Sequence, residues 1–283
     1  MGCSSSSLPD LDHDQEKLIQ KHFHYSSDDI AQLYTAFRKI NLTKAKYIEL
    51  EEFCLRCKCE ETAFLNSIFS FFSSQGHTKY PTLTFAEFAF FISFFLTLDE
   101  KGMADYLYKI LTDNKFHPNM SKKERRSLPV LEETILELFG HAWGSKNKLH
   151  HHLAMMDLDH SGTVSEAEFV KNCLKNKSLM FPIVRYQLDL RAKIVSHPFW
   201  SQREGLGNTV LPNLLQIRSE LHQGSVSGSE SPSAPTEVGS SLSSAMAHSV
   251  KETEAQAQGQ GHGHDHGGHH KQHHKQHHQG GQV

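Results

Sequence analysis

Twelve consecutive residues, 157–168, constrain this chain more than anything else in it. They read Asp-Leu-Asp-His-Ser-Gly-Thr-Val-Ser-Glu-Ala-Glu. Asp157, Asp159 and Ser161 put side-chain oxygens at the first, third and fifth positions. Gly162 permits a sharp turn at the sixth, and Thr163 offers its backbone carbonyl at the seventh. Ser165 can act through a water at the ninth, and Glu168 can close the shell with both carboxylate oxygens at the twelfth. Such a turn suits a hard divalent cation that takes about six to eight oxygen ligands, Ca²⁺ above all. Apolar stripes flank it at helical spacing: Leu149, Leu153 and Met156 before, Phe169, Cys173 and Leu174 after. The spacing therefore predicts a helix–loop–helix that binds calcium through Asp157, Asp159, Ser161, Thr163, Ser165 and Glu168. Three acidic ligands set the expected affinity in a sensor range, on the order of 10⁻⁷–10⁻⁵ M, below the tightest buffers.

One such unit leaves an apolar face and a short strand at Val164 uncovered, so it calls for companions. Its skeleton is an apolar eighth position and a glutamate at the twelfth, and it recurs upstream without the ligands. Residues 41–52 have Ile48 and Glu52, with Phe53 next, but Ala45 and Lys46 stand where a ligand and the glycine belong. Residues 76–87 have Leu83 and Glu87, with Phe88 next, and no acid at the first, third or fifth position. Residues 113–124 have Met120 and Glu124, with Lys115 third and Pro118 sixth. The glutamates lie at a repeat-like spacing. A cation such as Lys115 in the cage opposes a metal ion, so these three loops are expected to be scaffolds. Pro129 either shortens the third exit helix or starts a new helix over 129–139.

Large apolar residues concentrate between Phe23 and Trp200, and beyond them the chain turns to Gly, Ser, Gln and His. The expected organisation is an N-terminal segment 1–24, lobes at 25–100 and 101–200, a linker 201–261, and a disordered His-rich tail 262–283 too polar to offset its ordering entropy. A formal net charge of −3 gives no basic signature for nucleic acid. Five cysteines and no secretory signal suggest reduced intracellular thiols. The apolar run 88–98, broken by Ser93 and Thr97, falls short of the roughly 20 residues that span a bilayer.

The N-terminus reads Met-Gly-Cys-Ser-Ser-Ser, the pattern for myristoylation of Gly2, with Cys3 placed for palmitoylation. One acyl chain holds a membrane marginally and two hold it stably. Asp10, Asp12, Asp14 and Glu16 rule out a polybasic second signal. The expected location is the cytoplasmic face of a membrane, and otherwise the cytoplasm. The other reading is an unmodified Ser-rich start.

With these residues in hand, the stretch 25–200 resembles the calcineurin B and neuronal calcium sensor (recoverin-like) group of four-EF-hand proteins. The carrying segments are 47–54 (Tyr-Ile-Glu-Leu-Glu-Glu-Phe-Cys), 83–88 (Leu-Thr-Phe-Ala-Glu-Phe) and 156–169. The resemblance implies an all-α fold, two lobes of paired EF-hands, calcium sensing, and regulation of a bound target helix. That target could belong to a phosphatase or kinase catalytic subunit, or to a membrane protein. Members commonly keep two or three working loops, whereas this chain has one.

Other features stay open at this stage. Cys54, Cys57 and Cys59 read as ordinary helix cysteines or as a partial zinc site, which would need a fourth ligand. Phe88, Phe90, Phe91, Phe94 and Phe95 cover more than one helix face, as core or as spare surface for a target helix. Val210, Leu214, Ile217 and Leu221 share a helical face over 210–221, as a placeholder in the protein's own groove or as a solitary helix in a linker. His262, His264, His266, His269, His270, His273, His274, His277 and His278 can bind Zn²⁺, Cu²⁺ or Ni²⁺ without a folded cage, or are low-complexity sequence. His150, His151 and His152 read as helix surface. No nucleophile–base set or phosphate-cradling loop points to an enzyme. Three functions follow: a membrane-tethered calcium sensor or regulatory subunit, a constitutive scaffold with structural Ca²⁺, or a transition-metal protein acting through the tail.

Overall fold

Five of the described helix starts in this chain are set by short polar side chains that accept a backbone N–H, and three of these, with a fourth start at Glu49, use a reciprocal box with an acid three residues on. In the computed structural model, which describes residues 11–75, 80–113 and 121–223, Ser26 and Asp29 open α2 (Ser27–Ile40) in this way, after α1 (His13–Phe23). Glu49 with Glu52 opens α3 (Leu50–Cys57), and Thr62 caps α4 (Ala63–Phe72). Thr84 with Glu87 opens α5 (Phe85–Leu96), and Asp99 caps α6 (Glu100–Thr112). Pro129 lies in the first turn of α7 (Leu128–Phe139), where its missing N–H costs nothing. This is the new helix expected at 129–139. Then come α8 (Lys146–Met156), α9 (Glu166–Lys175), which the Ser165–Glu168 box opens, and α10 (Phe181–Lys193). The short α11 (His197–Ser201) and α12 (Leu206–Val210) lead to α13 (Leu214–Gln223).

The fold is mostly helical. Two three-residue strands, β1 (Tyr47–Glu49) and β2 (Thr82–Thr84), pair antiparallel with Ile48 opposite Leu83. A single bridge joins Ser127 and Thr163. Among the described residues no helix is long and apolar enough to cross a membrane. Gly2, Cys3 and all nine tail histidines lie outside the described residues.

Helix α5 is the spine, since every one of its twelve residues is buried. Phe91 lies among Phe53, Phe69, Phe72 and Phe95, with ring centroids 5.3–6.2 Å apart in tilted and edge arrangements that suit aromatic quadrupoles. The phenylalanine run is therefore core in this structure.

The described structure corrects two expected boundaries. Residues 13–23 are part of the core: Ile19 and Phe23 are fully buried, and Phe23 meets Phe90 at 5.6 Å. Within 201–223, the helical face read over 210–221 is buried: Val210, Leu214, Ile217 and Leu221 pack on the core together with Leu211, so this part does not run as a free linker. Average composition concealed α1, whereas the helical face over 210–221 was legible and only its burial was left open; α5 needs cover on all sides.

The end of α5 shows how tightly this cover is tied down. The last carbonyls of a helix lack internal partners. Gln187 Nε2 donates to the carbonyls of Phe95 and Leu98, both at 2.9 Å, and Arg191 Nε donates to Leu96 at 2.7 Å. The Gly205 N–H reaches Thr97 O at 2.7 Å. A cation at a helix C-terminus also complements its dipole. Gly207 then packs so closely that a Cβ on it would lie 2.5 Å from Phe94 O and 3.0 Å from Leu98 N, both backbone atoms. Gly207→Ala should consequently cost about 1–3 kcal/mol, the range for overpacking a rigid site. Urea denaturation followed by circular dichroism will show it, and a midpoint equal to wild type would contradict this packing.

Candidate metal centre

Helix α8 ends at Asp157, whose N–H donates to Leu153 O at 3.4 Å, and α9 begins after Ser165. Between them the chain folds its own acceptors inward. Asp157 accepts from the Ser161 N–H through Oδ1 and from the Gly162 N–H through Oδ2, both at 2.9 Å. Asp159 accepts from the Ser161 N–H at 3.0 Å. His160 and Gly162 take the left-handed region, with φ of 55° and 75°; glycine at the second needs no steric allowance. Ser161 Oγ lies 3.2 Å from Thr163 O. Glu168 spans the loop, accepting from the Leu158 N–H at 3.0 Å through Oε1, and from the Ser165 N–H at 2.9 Å and hydroxyl at 2.6 Å through Oε2.

These bonds draw Asp157, Asp159 and Glu168 together, with one carboxylate oxygen from each lying within 4.8 Å of the others. Asp157 is buried. The Ser165 hydroxyl and N–H hold Glu168 below the usual carboxylate range against a small desolvation penalty, and the Ser161 hydroxyl and N–H do the same for Asp159. Both carboxylates are therefore ionised at neutral pH before any cation arrives. Ser161 and Thr163 supply neutral oxygens beside the cluster. Ser165, expected to act through a water, is the cap of α9 with its hydroxyl committed to Glu168. This donor set, all oxygen and carrying three negative charges on a flexible turn, fits a hard divalent ion of the calcium type.

Residues distant in sequence hold the loop in place. The Val164 N–H donates to Arg126 O at 2.8 Å, and the Leu128 N–H donates to Gly162 O at 3.3 Å. From α6, the Tyr108 hydroxyl donates to Val164 O at 2.9 Å, and burial raises its pKa. Tyr108 was not legible in sequence, because nothing local ties it to a carbonyl 56 residues away.

The first two upstream loops share the closing glutamate. In the first, Glu52 accepts from the Leu42 and Thr43 N–H groups at 3.1 and 2.9 Å, as Glu168 does from Leu158. Asn41 Nδ2 donates to Ala45 O at 2.6 Å, so the side chain at the first position is committed to the loop's own backbone.

The second loop begins earlier than the expected Gly76. Helix α4 ends at Ser73, whose N–H bonds Phe69 O, and Glu87 reaches back to the Ser74 N–H at 2.6 Å. The loop is thus three residues longer than the template, with Ser73 in the place of Asp157.

The third differs more. It begins at Asp113 as expected, but its exit helix is capped by Ser127, six residues later than a 12-residue register requires. Arg126, not Met120, stands opposite Val164, and Val130 holds the position three residues after the cap where the other loops have glutamate. Glu124 instead accepts from the Ser121 N–H at 2.6 Å in a local turn. A fixed template cannot register a longer loop, and the Ser127–Pro129 start signal outweighed the Glu124 match.

On α3, Cys54 and Cys57 are buried, and Cys59 follows Lys58, which ends the helix in the left-handed region. His150 is mostly exposed and lies 2.9 Å from Glu132. Among the described residues, Asp157, Asp159 and Glu168 are the cluster of acidic, histidine or cysteine groups close enough to share an ion. No protein-family model matches this chain, and a search of curated proteins finds no match either.

Proposed function

We propose that this protein is a calcium-binding regulator of the four-EF-hand type, in which Asp157, Asp159, Ser161, Thr163 and Glu168 hold one Ca²⁺. The convergence of three carboxylates within 4.8 Å on a 12-residue turn carries the reading. Two further observations support pairing of the loops. Ile48 and Leu83 stand opposite each other between the first two, and Ser127 bridges Thr163 between the last two. On this reading the bound ion supplies charge compensation, and the chain's part is to bring Glu168 and its helix α9 to a fixed position. Helix α9 leads directly into α10, whose Gln187 and Arg191 clamp the end of α5. A shift of α9 thus bears on the helices that cover the apolar core, and the output is exposure of a groove to a target helix.

A constitutive scaffold with structural calcium is the second reading. It is favoured by α12 and α13, which already cover the groove. Acylation at Gly2 and Cys3 remains the proposed membrane tether, and the tail histidines a proposed site for Zn²⁺, Cu²⁺ or Ni²⁺. Calorimetric titration of the full chain with Ca²⁺, run beside a dye that reports apolar surface, tests the first two readings. Heat with increased dye fluorescence supports the sensor, heat without it supports the scaffold, and no heat overturns both.

A further inference from the structure

Helix α3 ends on three thiols, and the way it ends sorts them. Lys58 lies in the left-handed region with φ of 48°, the Cys59 N–H donates to Cys54 O at 3.1 Å, and the Lys58 N–H donates to Leu55 O at 3.4 Å. This pair of bonds is a Schellman stop, in which the residue after the reversal meets the residue one turn inside the helix, ordinarily as an apolar contact. Here both of those residues are cysteine, and the Cys54 thiol hydrogen-bonds the Cys59 sulfur. Backbones held side by side in this way lie within the span of a disulfide. Cys57 stands apart from the pair: it is 2% exposed and lines a cleft beside Ile40 and Val195.

The two paired sulfurs are not equivalent. Cys54 is buried and Cys59 is partly exposed. The bond from the Cys54 thiol, and after it the charge of Lys193, hold Cys59 below the usual thiol range against burial and the Asp189 carboxylate. The same bond, with burial, pushes Cys54 up. Burial pushes Cys57 and Cys173 up to about 12. Lys193 is fixed where it acts, because its Nζ, in the last turn of α10, donates to Lys58 O at 3.3 Å. One accessible sulfur with thiolate character therefore has a second thiol against it and an ammonium beside it, the surroundings of a redox-reactive cysteine and not of an inert buried one.

We propose that Cys54 and Cys59 are a reversible redox pair: Cys59, assisted by Lys193, is the sulfur that attacks a peroxide, and Cys54 is the sulfur that resolves the product into an intrachain disulfide. The Cys59 thiolate bonds to one oxygen of ROOH as the O–O bond breaks, giving Cys59 sulfenic acid. The other oxygen leaves as RO⁻ beside the Lys193 ammonium and takes a proton from water. The Cys54 sulfur then bonds to the Cys59 sulfur, the S–O bond breaks, and the departing hydroxyl leaves as water with the Cys54 proton. Two thiols are oxidised by two electrons, and one peroxide is reduced to ROH and water. A dithiol reductant returns both protons and electrons by exchange and becomes a disulfide itself. A transient pair of this kind is what a reducing compartment allows. The inference rests on α3 and α10 and not on an ion at 157–168.

The test uses the full chain in chelator, exposed to a small excess of hydrogen peroxide, alkylated in denaturant and cut with trypsin. Cleavage after Arg56 and Lys58 separates the three cysteines, so mass spectrometry reads the bond directly. The expected product is peptide 47–56 joined to peptide 59–79, and a dithiol reductant should release the two. Cys57→Ser should leave this product unchanged. Cys54→Ser should stop the reaction at Cys59 sulfenic acid, captured by a 1,3-dione probe. Lys193→Gln keeps a donor for Lys58 O but removes the charge, and it should slow oxidation of Cys59 at least about threefold. The wild-type chain alone can overturn the proposal, by showing no bond or one between 47–56 and 57–58. So would oxidation of Cys57 or Cys173 ahead of Cys59, or a rate that Lys193→Gln leaves unchanged.

Discussion

Glu168→Gln is expected to weaken calcium binding by about 100-fold or more, because it removes one of three charges and the bidentate closing ligand at a stroke. The effect reaches beyond the ion. Glu168 accepts from the Leu158 N–H, the Ser165 N–H and the Ser165 hydroxyl. A glutamine offers one carbonyl oxygen, and its amide end would face a second N–H. The ion-free protein should therefore also lose about 1–2 kcal/mol. Calorimetry gives the first number, and thermal melts in chelator give the second. Glu124→Gln is the matched control: that side chain closes only a local turn, and calcium affinity should not change. Equal losses in the two variants would restore the 12-residue register for the third loop and remove the special standing of Glu168.

Trp200→Ala is expected to cost about 3–5 kcal/mol, as truncation of a fully buried large aromatic does, against a total stability of about 5–15 kcal/mol. Trp200 is fully buried, and its Nε1–H donates to Ile194 O at 2.6 Å. It meets Phe199 edge-on at 4.7 Å, and Phe199 in turn packs against Tyr25 at 5.9 Å. Arg203 lies over the Phe199 ring at 4.0 Å and pairs with Asp29 at 2.7 Å. Burial works against the Asp29 carboxylate, but the Ser26 and Arg203 hydrogen bonds outweigh it and hold its pKa below the usual range. The segment Phe199–Arg203, anchored by the indole, thus joins the end of α10 to the start of α2. Urea denaturation of Trp200→Ala should show a much earlier midpoint and faster amide exchange in α12 and α13. A loss under about 1 kcal/mol would mean that Trp200 merely ends the core, as composition alone suggests.

These two residues mark the contrast between what was legible and what was not. Glu168 stood out in sequence because metal ligation by one turn is a local problem. Every ligand comes from a single 12-residue segment, and its chemistry fixes the spacing. The capping boxes at Ser26, Glu49, Thr84 and Ser165 are equally local, although they emerged only with the structure; Ile48 and Leu83 were legible as the eighth positions of two loops, and their pairing joins distant segments. The third loop was misread because its length is not a local property. Only the hydrogen bonds from Val164 to Arg126 and from Leu128 to Gly162 show which residues oppose each other.

By itself, then, the sequence determined a helical chain, the helices that flank 157–168, and the carboxylates that converge there, since each depends on contacts within about a dozen residues. The tertiary structure alone decided that α1 belongs to the core, that the helical face over 210–221 is buried there, and that Tyr108 holds Val164. Those outcomes turn on how much cover a helix buried on every side requires. Which distant segment supplies that cover is a matter of shape and satisfied polar groups, which no local pattern records.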